Sequence, residues 1–435
     1  MKNLFKRGRQ FVKNNPLSIN YGIDGLLVLG AASIASNNNN LFAQRLGAGD
    51  FHLSMVQALP PLVNLFLLIP IGLLIDSLVN KRRVVSICLL MSGIFFAIVS
   101  MSAFIPIHAV YFFLLFLALA NISMGGMFNL AWQAFFPEAV EEKERNNVLT
   151  FRARMTMIVS LVFPLIVGFI LVRIPSDEGK IVAHQIFYVI VVALLFANLI
   201  HFRKIKSVIP SEPKHVSMTE IKMAGFRLLK NKPFIIFTLV ILFFHMTWHM
   251  DWTLYFIGQA NYMHMNEFML SLTPVVGTLA QLVTLRFWSR NNTKQGVERP
   301  MVYGMLGLAI CPIAMIVGVS LPLNVGPFAF LILHAIGHLS FASVALNMFQ
   351  CLLKVVDNEY RSFSISIYTF MITLSHAIMP IVGVAVYRAL GGHVDALRYT
   401  FAILFVLRIV AAGLWLLWLN KTPLENAPPS STQAH

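Results

Sequence analysis

Residues 72–83 read GLLIDSLVNKRR, and the order of chemistry in that stretch decides how the whole chain is read. An apolar run ends at an acid, Asp76, and three consecutive cations follow, Lys81, Arg82 and Arg83. Lysine and arginine gather at the cytoplasmic ends of membrane helices, so this pattern marks a span that has just reached the cytoplasmic side. Composition agrees. Of 435 residues, 57% are hydrophobic and only 12% are charged, with 36 Phe and 21 Met, and the mean hydropathy is +0.74. No water-soluble domain of this size tolerates such a surface, which makes the chain an integral membrane protein. A net charge of +15 suggests nucleic acid in a soluble protein; in a membrane protein the positions of the cations matter more than their sum.

Crossing about 30 Å of hydrocarbon at 1.5 Å per residue takes roughly 20 apolar residues. Working outward from Gly72–Arg83, such segments fall at 20–43, 52–79, 83–105, 108–136, 148–173 and 183–202, and again at 233–259, 266–288, 299–320, 325–353, 363–389 and 396–420. The expected fold class is therefore all-α, with twelve transmembrane helices. Of the 33 Lys and Arg, only Arg45, Arg173, Lys180, Arg388 and Arg398 fall on the side opposite Lys81–Arg83, and Arg408 lies inside the last span. Both termini are expected in the cytoplasm, and the protein in the plasma membrane. The N-terminal MKNLFKRGRQFVKNNP imitates a secretory signal, but Asp24 and the run Asn37–Asn40 interrupt the apolar segment that follows, and it reads as the first span.

The segments divide into a cytoplasmic N-terminus at 1–19, a six-helix half at 20–202, a linker at 203–232, a second half at 233–420 and a tail at 421–435. In the linker, SMTE is a capping box from Ser217 to Glu220, and Ile221, Ala224 and Leu228 share one face, which predicts a short helix on the membrane surface. The halves resemble each other. FPEAVEEKER ends at Arg145, 19 residues before Pro164, and LKVVDNEYR ends at Arg361, 19 residues before Pro380 (164 − 145 = 380 − 361). A parallel repeat of this kind suits alternating access to a midplane site. The third helix of each triplet, near 83–105, 183–202, 299–320 and 396–420, is the most uniformly apolar and is expected to face lipid.

With these residues in view, the chain resembles a major facilitator superfamily transporter. The family's signature after the second helix is Gly-x-Leu-x-Asp-Arg-x-Gly-Arg-Arg; Gly72, Leu74, Asp76 and the cluster Lys81, Arg82, Arg83 match it, while Ser77 and Val79 depart from it. The resemblance implies a gating role for this motif, and for Asp76 in particular; otherwise Asp76 is a helix-ending acid that orders the loop. The family's exporters carry Gly-Pro-x-x-Gly-Gly in the fifth span. Here FPLIVG keeps Pro164 and Gly168, a partial match that leans toward export. Where proton-coupled drug exporters carry an Arg before a glycine pair, NISMGG has Asn121.

The seventh span carries FFHMTWHMDWTLYF, Phe243–Phe256. His245 and His249 are four apart and share a helix face, flanked by Trp248 and Trp252, with Asp251 pointing elsewhere. HAIGH repeats the spacing in the tenth span with His334 and His338, and His376 sits midway along the eleventh. All five lie roughly 13–21 Å from the outer helix ends by rise per residue. The resemblance implies that spans seven and ten line the central cavity, where the two pairs face one another. Three readings stay open: a substrate or proton path with Asp251 tuning an imidazole; a transition-metal site formed by His245, His249, His334 and His338; or neutral polar handles that fix helix packing. Asp24 in the first span is a proton-coupling acid by resemblance, or a snorkelling or capping acid. Asn37 to Asn40 point all round the helix and mark a cavity mouth, and Asn64, Asn129, Gln133, Gln281, Asn347 and Gln350 suit cavity or interhelix hydrogen bonds. For Arg408 the sequence names no partner.

The three cysteines, Cys88, Cys311 and Cys351, lie far apart in apolar segments and offer no Cys-x-x-Cys spacing. No nucleotide-binding loop occurs, and no cofactor or enzymatic activity is expected. The leading expectation is a monomeric secondary transporter that exports a small organic solute coupled to protons or another ion, with the lipid bilayer as its other partner and no nucleic acid. Uptake of a solute or metal complex is the alternative. From other classes, a non-transporting sensor or a His-rich membrane oxidoreductase remains.

Overall fold

A computed structural model describes residues 16–421 apart from 79, 106, 207–226, 229 and 357–360, with the side chains at 67–74, 76–77, 142–143, 146, 150, 361–363 and 421 also outside the description. Every expected apolar segment is helical: α1 (Pro16–Arg45), α2 (Asp50–Ser77), α3 (Lys81–Ser100), α4 (Ala109–Ala139), α5 (Glu142–Val172), α6 (Asp177–Phe202), α7 (Lys232–Tyr262), α8 (Glu267–Gln295), α9 (Glu298–Ser320), α10 (Gly326–Val355), α11 (Arg361–Ala389) and α12 (Val394–Lys421). Among the described residues eleven helices are long and apolar enough to cross a membrane, and α2 completes the expected set. The surface helix expected from Ser217 lies outside the described residues up to 226; residues 227, 228 and 230 are helical.

Local chemistry places the helix ends. Asn80, Ser176 and Asn231 each accept a hydrogen bond from the backbone N–H three residues on, at 3.1, 3.1 and 3.0 Å, opening α3, α6 and α7. Where α11 turns into α12, Gly391 and Gly392 hold φ of +113° and +66°, a left-handed backbone that side chains resist, and GG is what the sequence supplies there.

Contacts divide the chain into two units. One comprises 1–216 together with 252–275 and 376–389; the other comprises 217–251, 276–375 and 390–435. The first unit is thus the N-terminal half with the adjoining ends of α7, α8 and α11. Its seam is a glycine stripe on α1: a Cβ at Gly22 would overlap the Phe151 ring, one at Gly25 would stand 2.7 Å from Arg152 Cγ, and one at Gly30 would stand 2.9 Å from the Phe163 ring. Small residues let α5 lie directly on α1, the usual solution where lipid tails supply no hydrophobic drive between helices. A second close approach is at Gly168, where a Cβ would overlap Ser271 Oγ and meet the Glu267 carbonyl oxygen at 2.8 Å. Gly168→Val is expected to overpack that α5–α8 crossing and cost about 1–3 kcal/mol, read as a lowered Tm in detergent.

The repeat is visible in charge as well as in sequence. In the first unit Lys81 at the start of α3 donates to Glu138 near the end of α4, 2.6 Å apart and buried. In the second unit Glu298 at the start of α9 pairs with Lys354 at the end of α10. The offsets, 298 − 81 = 217 and 354 − 138 = 216, match the 216 between Arg145 and Arg361. The same bridge stands in both halves with its polarity reversed. Of the four helices expected to be lipid-facing, α3, α6 and α12 carry rows of exposed aliphatic side chains, such as Ile87, Leu90 and Ile94 on α3. The exception is α9, whose apolar stretch is more than half buried, because α10 and α12 both pack on it and Arg408 reaches it from α12.

Candidate functional site

In the first unit the polar groups of the spans collect around Asp24, which is fully buried rather than exposed near a helix end. Its carboxylate accepts from Trp132 Nε1 on α4 (3.1 Å), Arg152 Nε on α5 (3.3 Å) and Asn198 Nδ2 on α6 (3.0 Å). The Arg152 guanidinium also lies 4.2 Å over the Trp132 ring. Four helices are thereby tied through one acid, and a lone capping role for Asp24 is set aside. Charge bias assigns Arg152 to the interface; its side chain instead reaches inward to a buried carboxylate that needs a counter-charge.

At the end of this unit where α1 finishes and α6 and α8 begin lies a second network. Glu267 accepts from Arg45 and, at 2.5 Å, from Lys180. Arg45 also meets His184 Nε2 at 2.5 Å, and His184 Nδ1 is 3.0 Å from Asn38 Oδ1. Tyr188 donates to Asn39 at 2.8 Å, and Asn37 donates across to Ser271 at 2.8 Å. Further contacts are Gln44 to Asn261 (3.1 Å), Tyr262 to Tyr387 (2.5 Å) and Arg388 to Asp50 (3.3 Å). The asparagine run thus spends its amides on neighbouring helices in different directions, as consecutive helical residues must, while Asn40 Oδ1 is buried without a hydrogen bond among the described residues. Arg45, Lys180 and Glu267 are charged residues near helix ends, where sequence reading sees only solvated charge; the buried Glu267 shows that they converge.

The second unit contains another buried acid. Asp251 accepts from Arg408, both essentially inaccessible, and Arg408 Nη1 donates to the Leu308 carbonyl at 2.8 Å. The sequence explains that carbonyl. Pro312, four residues on, has no N–H to give, so α9 breaks at Ala309 and leaves Leu308 without its helical donor. Arg408, to which the sequence alone assigns no partner, answers both an acid and an orphan carbonyl. Asp251 thus has the Arg408 guanidinium as a buried partner.

The histidines separate. His245 Nε2 lies 3.2 Å from Met348 Sδ on α10, and His249 Nδ1 lies 3.1 Å from Ser375 Oγ on α11. Trp248 packs on Phe341 of α10 with ring centroids 4.9 Å apart. In the first unit His376 meets Trp252 edge-on at 4.4 Å. His334 and His338, their rings 4.1 Å apart, turn to α9, where Cys311 Sγ is 3.6 Å from His338 Nδ1. The expectation that the two pairs face one another as a single four-imidazole set is corrected: among the described residues, the group able to hold a metal ion is Cys311, His334 and His338. Sequence reading passes over Cys311 because its partners lie on another helix, beyond any local spacing rule.

Several candidate residues settle elsewhere. Asn121 donates to Leu117 in its own helix at 2.8 Å, where α4 opens into a π-helical turn over Ile122–Met127; Asn64 of α2 presses into the space a Cβ on Gly126 would occupy. Asn129 and Gln350 likewise bond their own helices, at 2.7 and 2.8 Å, whereas Asn347 exchanges hydrogen bonds with Asn292 of α8. Gly72 and Asp76 are in α2 with side chains outside the described residues. Beside them, Lys81 pairs with Glu138, Arg82 donates to the Arg203 carbonyl, and the Arg83 N–H bonds Asn80. Pro164 lies inside α5, one turn before Gly168.

The profile of the Major Facilitator Superfamily matches this chain over residues 25–350 and 250–434. The chain belongs to the Major Facilitator Superfamily. That family consists of transporters, and its fold accounts for the twelve helices in two related halves. Solved structures of superfamily type are similar in fold. A bacterial homologue of the iron transporter ferroportin in an inward-facing state aligns with TM-score 0.76 at 10% identity, covering 93% of this chain and 98% of that one. The nucleoside transporter NupG gives 0.68 at 14%, covering 93% and 99%. A bacterial homologue of the human lysosomal transporter Spinster, inward-facing and unoccupied, gives 0.67 at 13%, covering 93% and 97%. No match was found among curated proteins.

Proposed function

We propose that this superfamily member is a secondary active transporter that works by alternating access and exports a small organic solute in exchange for protons. The observation that carries the reading is the network around Glu267. It holds the ends of α7, α8 and α11 against the N-terminal helices through hydrogen bonds and ion pairs, contacts that can break and reform. With Lys and Arg concentrated at the opposite end, this network is the outer latch. An imidazole is the side chain suited to load and release protons near neutrality, and His249, beside Ser375, is the first candidate for the coupling group. The Met-rich, aromatic interior, with Met348, Trp248 and Phe341, repacks around amphipathic ligands. The partial fifth-span motif at Pro164 and Gly168 favours export.

The test is flux in proteoliposomes across an imposed pH gradient, using a panel of amphipathic organic solutes. The wild type is expected to move at least one solute against its gradient, and His249→Ala to lose that driven flux while keeping downhill exchange. Equal loss of both modes would assign His249 to binding or folding instead, and solute movement indifferent to the pH gradient would remove proton coupling.

A further inference from the structure

We propose that Cys311, His334 and His338 form a binding site for a soft monovalent metal ion, Cu(I), within the second unit. One donor atom from each of the three lies within 4.8 Å of the others. An ion bound with metal–sulfur distances of about 2.3 Å and metal–nitrogen distances of about 2.0 Å in a trigonal plane separates its donors by roughly 3.5–3.7 Å. Cys311 Sγ and His338 Nδ1 are already 3.6 Å apart, and with all three donors inside 4.8 Å no pair has to close by more than about 1.3 Å to reach that spacing.

The surroundings are shaped for the cluster. A Cβ on Gly337 would stand 2.5 Å from Cys311 Sγ, and one on Gly277 would stand 3.0 Å from His338 Cδ2. Two glycines, one on α10 and one on α8, thus leave room for the thiol and the ring. Both ligand helices are interrupted beside their ligands, α9 at Ala309 and α10 at Leu339–Ser340. The Leu339 carbonyl released by the second break is held by Trp288 Nε1 (2.8 Å) and Thr284 Oγ1 (2.7 Å) of α8, so the break is braced rather than frayed.

Charge selects the ion. Cys311 and His334 are buried, and Arg408 reaches the backbone at Leu308, three residues from Cys311, already neutralised by Asp251. A divalent ion on one thiolate and two neutral imidazoles leaves a net positive charge in an apolar interior, beside a guanidinium. Cu(I) on the same ligands is neutral, which removes most of the desolvation penalty, and thiolate is its preferred donor. On binding, the Cys311 thiol releases its proton to solvent and the S–H bond is replaced by S–Cu with no change in oxidation state. His338 Nδ1 gives up its hydrogen bond to the His334 carbonyl, now 3.0 Å, and its proton is carried on Nε2.

The experiment is anaerobic titration of the reduced full-length protein in detergent with Cu(I), against a competing Cu(I) chelator, with X-ray absorption of the loaded wild type. One equivalent is expected, with one sulfur and two nitrogen neighbours at copper. Cys311→Ser and His334→Ala are each expected to weaken binding at least tenfold, and Cys88→Ser and Cys351→Ser to leave it unchanged. Absorption spectra lacking the sulfur neighbour, or affinity that Cys311→Ser leaves intact, would overturn the site. Because the spectrum is taken on the wild type, a variant that fails to fold does not rescue or sink the proposal.

Discussion

Replacing Arg408 with Met is expected to destabilise the protein by about 3–5 kcal/mol, because it leaves the Asp251 carboxylate buried without its counter-charge. Thermal unfolding in detergent reads this as a sharp fall in Tm. The double variant Asp251→Leu with Arg408→Met removes both charges, and replacing a buried pair by apolar side chains is often close to neutral. Recovery is expected to stop short by about 1–3 kcal/mol, since the Leu308 carbonyl then has neither Pro312 nor Arg408 as donor. Tolerance of the single Arg408→Met change with an unaltered Tm would show that the pair does not hold α7, α9 and α12 together.

Glu267→Gln is expected to open the latched end. Arg45 and Lys180 share this one carboxylate, and removing a buried partner of hydrogen-bonded charges typically costs about 2–5 kcal/mol. At about 1.4 kcal/mol per tenfold, the unlatched population rises by more than an order of magnitude. The measurement is labelling of Asn37→Cys by an impermeant maleimide in a background with the three native cysteines replaced. A labelling rate that is the same with and without the Glu267→Gln change would contradict the latch.

The fold was largely legible because it is written in local signals. Apolar length gave the spans, and the shared spacing of Arg145–Pro164 and Arg361–Pro380 announced the repeat; the caps at Asn80, Ser176 and Asn231 came from the structure. The reversed bridges Lys81–Glu138 and Glu298–Lys354 stand at that same offset, but their pairing came from the structure. The site was legible in its inventory of residues and not in its pairings. Asp24, Asp251 and the histidines stand out as costly groups in a membrane, but what satisfies each comes from far along the chain: Arg152 for Asp24, Arg408 for Asp251, Cys311 for His338. One such pairing had a readable half. Pro312 fixes an orphan carbonyl at Leu308, and a buried arginine is a natural donor to it. Nothing local says which arginine.

Alternating access is tested most directly by double electron–electron resonance between spin labels on Glu178 and His264, exposed residues at the latched end of the first unit, in lipid bilayers. Two distance populations are expected, one matching the latched arrangement and one longer, with Glu267→Gln moving weight to the longer. A single distance, unchanged by Glu267→Gln and by pH, would contradict the account.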